Sequence, residues 1–196
     1  MKPTMWKIVS LVSALLAASL TSHAQNLIMN GSFEIGVFAD DGGGWQCLQP
    51  GSTLLPGWTI ISDDIVRAVN TNHWEITASH GSFHLDLAGC SDSPPHGGIT
   101  QTIPTRIGQA YRLSLDLGIH NRPDNPDLGG PISVFVSTGF TNAWFTHDAV
   151  ESSTQWRTYS LDFIAQTART PIIILGTNGK HHIGVDNVSV VALREE

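Results

Sequence analysis

Hydrophobic and polar residues alternate with a period of two along several stretches of the chain. In YRLSLDLGI, residues 111–119, apolar side chains occupy every second position. SFHLDLA (82–88), ISVFVST (132–138) and WRTYSLDFI (156–164) repeat the pattern. Successive side chains of a strand point to opposite faces of its sheet, so this alternation predicts strands with one buried face and one wetted face. The sequence after residue 24 shows no helical period of useful length.

Turn-forming residues separate these stretches, as in ADDGGG, CSDSPPHGG and HNRPDNPDLGGP. Many short strands broken by Gly, Pro, Asn, Asp and Ser predict an all-β fold, an antiparallel β-sandwich in one domain. The longest predicted loops cover residues 39–53, 89–98 and 120–130. Loops of this length on a rigid sandwich are the expected location of a functional site.

Residues 1–24 have the features of a secretory signal peptide. Lys2 and Lys7 precede an apolar run over 8–20, and Ser22-His23-Ala24 offers small residues for cleavage near Ala24. The alternative is a membrane anchor, but a bilayer span needs about 20 apolar residues and this run is shorter. We therefore expect a secreted protein, extracellular or periplasmic, with residues 25–196 as its domain and no membrane insertion after cleavage.

The charge balance restricts the partners of the exported chain. Without Lys2 and Lys7, eight basic residues stand against 17 acidic ones, a net charge of −9 with histidine neutral. Nucleic acids and anionic membranes both require a positive protein surface, so neither is an expected partner.

Two cysteines, Cys47 and Cys90, follow the predicted signal peptide. An even pair in an exported protein predicts a disulfide, which would stabilise the fold by up to about 4 kcal/mol. The alternative is a pair of free thiols in a reducing compartment.

A series of short motifs runs through the chain in a specific order: NLIMNGSFE, LPGWTI, GSFHLDLAG, GGITQTI, GQAYRLSLDL, QWRTYSLDF and GVDNVSV. Over residues 26–191 the chain resembles the domain-of-unknown-function 642 family and its bacterial relatives, the choice-of-anchor C exported domains. The resemblance implies a galactose-binding-like jelly roll, a fold shared with many carbohydrate-binding modules. Such bacterial relatives often carry a C-terminal sorting tail, whereas this sequence ends in VVALREE, which favours a soluble exported form.

The same resemblance implies one structural calcium ion held by Glu34 and Asp186. Calcium takes six to eight oxygen ligands, so two carboxylates would neutralise it and backbone carbonyls near Ser32 and in the turn 80–82 would complete the shell. The alternatives are a solvated acid at a strand edge for Glu34 and an Asx-turn acceptor for Asp186.

Several tryptophans are candidates for core or ligand contacts. Trp58, Trp74 and Trp156 fall at motif positions and are predicted to pack in the core. Trp45 and Trp144 lie beside loops, where an aromatic face can stack on a sugar ring. The alternatives are that Trp45 covers the disulfide and that Trp144 fills the sandwich.

Polar residues near the loops are candidates for sugar recognition. His84 and Asp86 share the polar face of one predicted strand, and Asn121 and Arg122 lie in the loop that follows residue 120. Together they could bind vicinal hydroxyls; singly, each fits a solvated sheet face. The histidines form no His-Glu-x-x-His motif and are predicted to be scattered over the surface.

These observations favour non-catalytic binding of an extracellular or cell-wall polysaccharide. One alternative is a structural or adhesive module that binds protein or itself. A second is a carbohydrate-active enzyme, for which Glu75 and Asp148 are the nominal acids. The sequence has no Gly-x-Ser-x-Gly elbow, phosphate loop or dinucleotide fingerprint to support catalysis.

Overall fold

The computed structural model describes residues 25–69, 77–120, 130–148, 154–180 and 182–194. These residues form strands and turns, with no helix of the length and apolar character that a membrane crossing requires. In chain order the strands are β1 (Trp45–Leu48), β2 (Thr59–Ile61), β3 (Ile65–Val69), β4 (Phe83–Asp86), β5 (Gly98–Pro104), β6 (Ala110–His120), β7 (Ile132–Ser137), β8 (Asn142–His147), β9 (Thr154–Ile164), β10 (Arg169–Asn178) and β11 (Gly184–Ala192).

The strands form two antiparallel sheets. One has six strands in the order β1-β3-β4-β11-β6-β9, and the other has five in the order β2-β5-β10-β7-β8. The predicted all-β antiparallel sandwich of jelly-roll type is therefore confirmed. The last strand, β11, lies between β4 and β6, so contacts of high sequence separation hold the centre of the larger sheet.

The hydrophobic core lies between the two sheets and receives alternate residues from both. Burial of one such aliphatic side chain contributes roughly 1.5–3 kcal/mol. Fully buried examples are Leu85, Leu113, Val134, Ile174 and Val190.

The predicted alternation of buried and wetted faces fails at the middle of β6. Leu115 and Leu117 face the core as expected, but Asp116 and Gly118, on the outer face, are buried as well. The ring of Trp156 and residues near 79 cover this part of the outer face. β6 is therefore buried on both faces around Asp116 and Gly118.

The N-terminal segment packs against β11 through a glycine. The Val188 amide donates to the Gly31 carbonyl oxygen at 2.8 Å. A Cβ on Gly31 would lie 1.9 Å from the Val188 carbonyl oxygen, so no larger residue fits here. Phe33 is completely buried and its ring lies 5.9 Å from that of Trp58. Both aromatics therefore occupy the core, as predicted for Trp58.

Cys47 and Cys90 form the predicted disulfide, with their Cα atoms 6.0 Å apart and a separation of 43 positions in sequence. Cys47 lies on the edge strand β1 and Cys90 in the loop after β4. The Cys90 amide also donates to Asp64 Oδ1 at 2.8 Å. Residues 39–53 were predicted to be a loop, but they contain β1, an edge strand of the larger sheet. The disulfide therefore fastens this edge strand to the loop after β4.

Candidate functional site

A cleft of about 270 Å³ opens on the outer face of the six-stranded sheet, over β1, β3 and β4. Cross-strand pairing places Trp45 opposite Ala68, and Ala68 opposite His84, in one row. Asp86, two residues along β4, lies on the same face. The structure thus brings together three of the predicted ligand residues. The lining includes Trp45, Val66, Ala68, His84, Asp86 and His182.

The turn before β1 fixes the position of Trp45. Asp40 Oδ1 accepts hydrogen bonds from three successive amides, those of Gly42, Gly43 and Gly44, at 2.8–2.9 Å. These hydrogen bonds lower the pKa of the exposed Asp40 carboxyl, so it stays ionised. The Asp40 carboxylate therefore stabilises the turn at Gly42-Gly43-Gly44, and this turn places Trp45 at the edge of the cleft.

Trp156 lies on the same outer face, at the far strand of the sheet. It pairs with Gly118, which pairs with Gly184. A Cβ on Gly118 would lie 2.6 Å from the Trp156 ring, so the indole rests on bare backbone. Its Nε1 donates to the Thr77 carbonyl oxygen at 2.8 Å. The prediction that Trp156 packs in the core is wrong.

Sequence alternation contained the signal for this placement. In WRTYSLDFI, Trp156 shares its parity with the polar residues Thr158, Ser160 and Asp162, while Tyr159 and Phe163 face the other way. The large aromatic ring of Trp156 favoured a core position, but the alternation of side chains along the strand predicts the outer face correctly.

Asp86 and His182 are in buried contact at the base of the cleft. His182 Nδ1 lies 3.0 Å from Asp86 Oδ2. Asp86 Oδ1 accepts from the amides of Ala88 and Ile183, each at 2.8 Å. Burial alone raises the pKa of Asp86, but the charge and hydrogen bond of His182 and the two amides outweigh it, and the net pKa is lowered. Asp86 therefore positions His182, and both of its oxygens are already engaged.

His84 completes the base of the cleft and is almost completely buried. Its ring lies 5.5 Å from that of His182 and 5.8 Å from that of Trp156. Burial, and then the neighbouring His182, lower the pKa of His84 to about 3, with Asp86 opposing them in part. Neither ring nitrogen of His84, nor Nε2 of His182, has a hydrogen-bond partner among the described residues. Buried polar atoms are normally paired, so these three nitrogens point to a bound partner.

The prediction that the histidines are scattered over the surface is wrong for four of them. His84, His96, His147 and His182 are all buried. The sequence alone could not show this, because His84 and His182 become neighbours only when β11 inserts beside β4.

The two predicted calcium ligands reach one turn from opposite ends of the chain. Glu34 Oε1 accepts from the amides of Ser82 and Phe83, each at 2.8 Å. Asp186 Oδ2 accepts from the His80 amide at 2.8 Å. The turn 79–83 is thus bound on one side by an acid of the N-terminal segment and on the other by an acid of β11.

Asp186 is a buried carboxyl group beside a second buried acid, Asp116. It is completely inaccessible, and Asn187 donates to both acids: its amide to Asp186 and its side chain to Asp116. Burial, aided by Asp116, raises the pKa of Asp186 to about 7 against the lowering effect of the backbone amides. Thr158 and Ser79 donate their hydroxyls to Asp116. All of these donors are neutral, so none of them balances the negative charge that the two carboxyl groups carry when ionised. A divalent cation that takes oxygen ligands would balance that charge.

The described residues do not, however, gather three acidic groups around a single point here. Within the described ranges such a grouping occurs only for Cys47, Asp64 and Cys90, where the two sulfurs form the disulfide. A calcium ion at Glu34 and Asp186 would therefore depend on backbone carbonyls for most of its ligands.

Arg67 supplies the positive charge near Glu34 that the local sequence lacks. Its side chain is completely buried, and its guanidinium carbon lies 4.1 Å from the centre of the Phe83 ring. Its three side-chain nitrogens have no hydrogen-bond partner among the described residues. Burial lowers the pKa of Arg67, while the charge of Glu34 opposes the change. A cation–π contact is therefore the main compensation for this buried charge.

The remaining predicted residues lie elsewhere. Asn121, Arg122, Trp74 and Glu75 fall outside the described residues, as does the predicted signal peptide. Asp148 is exposed at the end of β8. Trp144, also on β8, belongs to the five-stranded sheet and is 65% exposed, so it lies outside the cleft.

The fold and the cleft define a jelly-roll β-sandwich with two tryptophans and paired histidines on the outer face of its larger sheet. The chain belongs to the DUF642 family, whose model, described as a protein of unknown function, matches residues 26–189. The family resemblance of the sequence motifs is thereby confirmed.

Two curated relatives come from Arabidopsis thaliana. Protein DUF642 L-GALACTONO-1,4-LACTONE-RESPONSIVE GENE 1 is 29% identical over 158 residues, 78% of this chain and 40% of the relative. Protein TEEBE is 35% identical over 98 residues, 47% of this chain and 25% of the relative. The chain thus spans well under half the length of either relative.

The fold is similar to those of several solved carbohydrate-binding modules. TmCBM61 in complex with beta-1,4-galactotriose has a TM-score of 0.47 at 15% identity, covering 87% of this chain and all of that one. The CBM22-1 xylan-binding domain from Paenibacillus barcinonensis Xyn10C has a TM-score of 0.44 at 12% identity, covering 78% and 94%. These values are too low to transfer a binding property.

Proposed function

We propose that this protein binds an extracellular polysaccharide, without cleaving it, across the outer face of the six-stranded sheet. The observation that carries the proposal is the placement of Trp45 and Trp156, both partly exposed, on the two edge strands of that face. The imidazoles of His84 and His182 lie between them, and three of their four ring nitrogens have no partner among the described residues. Aromatic faces stack on the apolar faces of sugar rings, and imidazole nitrogens can bind their hydroxyls.

The dimensions of the face suit a chain of sugars. The Trp156 ring lies over Gly118 of β6, so at most four strand spacings, roughly 19 Å, separate it from β1, which accommodates a few sugar residues in a row. The path runs across the strands from Trp45 over Ala68 and His84 towards Trp156.

The chemistry of the cleft favours binding over hydrolysis. A glycosidase requires two carboxyl groups placed on either side of the scissile bond. Two carboxyl groups, Asp86 and Asp92, line the cleft. Asp86 has both oxygens occupied by protein donors and serves to hold His182. It is therefore poorly placed to transfer a proton to a glycosidic oxygen.

Affinity electrophoresis against a panel of soluble polysaccharides tests the proposal. At least one glycan should retard the protein, and Trp45→Ala and Trp156→Ala should each weaken the retardation. Trp144→Ala is the matched control, because Trp144 is exposed on the other sheet. Retardation by no glycan, or loss of retardation only in the control variant, would reject the proposal.

We propose in addition that Glu34 and Asp186 hold a structural calcium ion next to the turn 79–83. The buried carboxyl group of Asp186 and the convergence of both acids on one turn support this ion. When bound, it would neutralise the acids and tie the N-terminal segment to β11. Free calcium at about 100 times the dissociation constant would stabilise the fold by roughly 2.7 kcal/mol.

The secreted location, with cleavage near Ala24, is also proposed. The Cys47–Cys90 disulfide supports it, because such bonds persist in oxidising compartments. Expression of the full chain in a secreting host tests it: the mass of the exported protein should correspond to a chain that begins at Gln25. Retention in the cytoplasm at full mass would contradict it.

An adhesive or structural role is the second candidate. Phe140 and Trp144 are each more than 60% exposed at the β7–β8 end of the smaller sheet. An exposed apolar surface of this kind can bind protein or a second copy of the chain. Concentration-dependent light scattering that disappears in Trp144→Ala would favour this role.

A further inference from the structure

The paired histidines at the base of the cleft have the features of a metal site. Three imidazole nitrogens, two on His84 and Nε2 of His182, are buried without a partner among the described residues. A buried nitrogen lone pair without a donor loses the hydrogen bonds that water would give it. A cation that coordinates two of these nitrogens would remove that cost.

The separation of the two rings fits tetrahedral coordination. Zinc binds imidazole nitrogen at about 2.0–2.1 Å, which puts the ring centre about 3.2 Å from the ion and two such centres about 5.2 Å apart. The centres of the His84 and His182 rings are 5.5 Å apart, with 71° between their planes. The separation of the two rings is therefore compatible with one shared ion.

Asp86 supplies the supporting contact that metal-binding histidines usually have. A ligating histidine commonly donates its second ring N–H to a carboxylate, which fixes the tautomer and strengthens the ligand. Here His182 Nδ1 faces Asp86 Oδ2 at 3.0 Å, and two backbone amides hold Asp86 Oδ1. Nε2 of His182 is thereby left as the ligand atom, beside a carboxylate that attracts a cation.

We propose that His84 and His182 bind one first-row transition-metal cation of the zinc and copper class, with Asp86 positioning His182. Two protein ligands leave further coordination positions for water or for a hydroxyl of a molecule in the cleft. This site is distinct from the carboxylate pair at Glu34 and Asp186, since nitrogen ligands suit zinc and copper whereas calcium takes oxygen.

Titration calorimetry of the tag-free, metal-free protein with zinc chloride tests the proposal. One ion should bind per chain, and His84→Gln and His182→Gln should each weaken binding at least about 100-fold. Asp86→Asn should weaken it about 10- to 100-fold, as expected for a supporting carboxylate. The control is His80→Gln, whose exposed side chain lies on a neighbouring turn; its affinity should be unchanged.

Paramagnetic resonance of the copper(II)-loaded wild-type protein gives a readout that does not depend on the folding of any variant. Hyperfine coupling to two imidazole nitrogens is expected, and the same coupling should persist in His80→Gln. Coupling to one nitrogen or none, absence of saturable zinc binding, or unchanged binding in a folded His84→Gln/His182→Gln double variant would overturn the proposal.

Discussion

The indole of Trp156 lies directly on the backbone of Gly118, where a Cβ would come within 2.6 Å of the ring. Gly118 in turn pairs with Gly184 on β11, and a Cβ there would lie 2.6 Å from the Gly118 carbonyl oxygen. Gly118 therefore leaves the space in which the indole lies against the outer face of the sheet, and Gly184 allows β11 to approach Gly118 closely.

Gly118→Ala should weaken glycan binding about tenfold or more, because the new methyl group lifts the Trp156 ring from its place. The steric cost to stability should be about 1–3 kcal/mol, as for other overpacked sites. Affinity for a glycan that retards the wild-type protein, measured beside the free energy of unfolding, checks both. Ser160→Ala, on the same face of β9, is the control. Unchanged affinity in folded Gly118→Ala would show that Trp156 makes no contact with the ligand.

Removal of the disulfide should affect binding as well as stability. Cys47 is two residues from Trp45 on the edge strand β1. Cys47→Ala/Cys90→Ala should lower the free energy of unfolding by about 2–4 kcal/mol and weaken glycan binding through the loosened strand. In a Trp45→Ala background the same change should leave affinity unaltered. Equal losses of affinity in both backgrounds would mean that the bridge does not act through Trp45.

Arg67→Met should leave the free energy of unfolding within about 1 kcal/mol of wild type, since it removes a buried charge and the Phe83 contact together. Arg67→Ala should cost about 2–4 kcal/mol through the cavity it leaves. Denaturant unfolding of both variants checks this. A loss in Arg67→Met as large as that in Arg67→Ala would show that the guanidinium itself stabilises the fold.

Calcium should raise the melting temperature of the wild-type protein and not that of Asp186→Asn or Glu34→Gln. Without calcium, Asp186→Asn should be less stable than wild type, because Asn keeps one acceptor oxygen where both oxygens of Asp186 accept from backbone amides. Differential scanning calorimetry in EDTA and in millimolar calcium distinguishes the two effects. An identical calcium response in all three proteins would remove the ion from Glu34 and Asp186.

The cross-strand pair Arg112–Asp162 gives a pH-dependent prediction. Arg112 binds Asp162 through two hydrogen bonds of 2.7 Å and lowers the pKa of that carboxyl. A lowered folded-state pKa contributes stability above the unfolded value of 3.8 that is lost as pH falls through the lowered pKa. Because both side chains are about half exposed, Asp162→Asn should cost no more than about 1 kcal/mol at pH 7. The difference from wild type should vanish near pH 2; a difference that persists there would not be electrostatic.

The sequence predicts those parts of the site that depend on local pattern. Alternation in SFHLDLA puts His84 and Asp86 on one face, and the turn residues ADDGGG place Trp45 beside a loop. It could not predict His182 beside His84, since that contact depends on the insertion of β11 next to β4. Arg67 is a similar case: it reaches the vicinity of Glu34 only through the packing of β3 beneath the N-terminal segment.

The most direct test of the proposed binding face is nuclear magnetic resonance of the tryptophan indole N–H groups during titration with a glycan that retards the protein. Trp45 and Trp156 signals should shift with the ligand, while those of Trp58, in the core, and Trp144, on the other sheet, should stay in place. Shifts confined to Trp144, or saturation of binding with no shift at Trp45 and Trp156, would contradict a polysaccharide site on the six-stranded sheet.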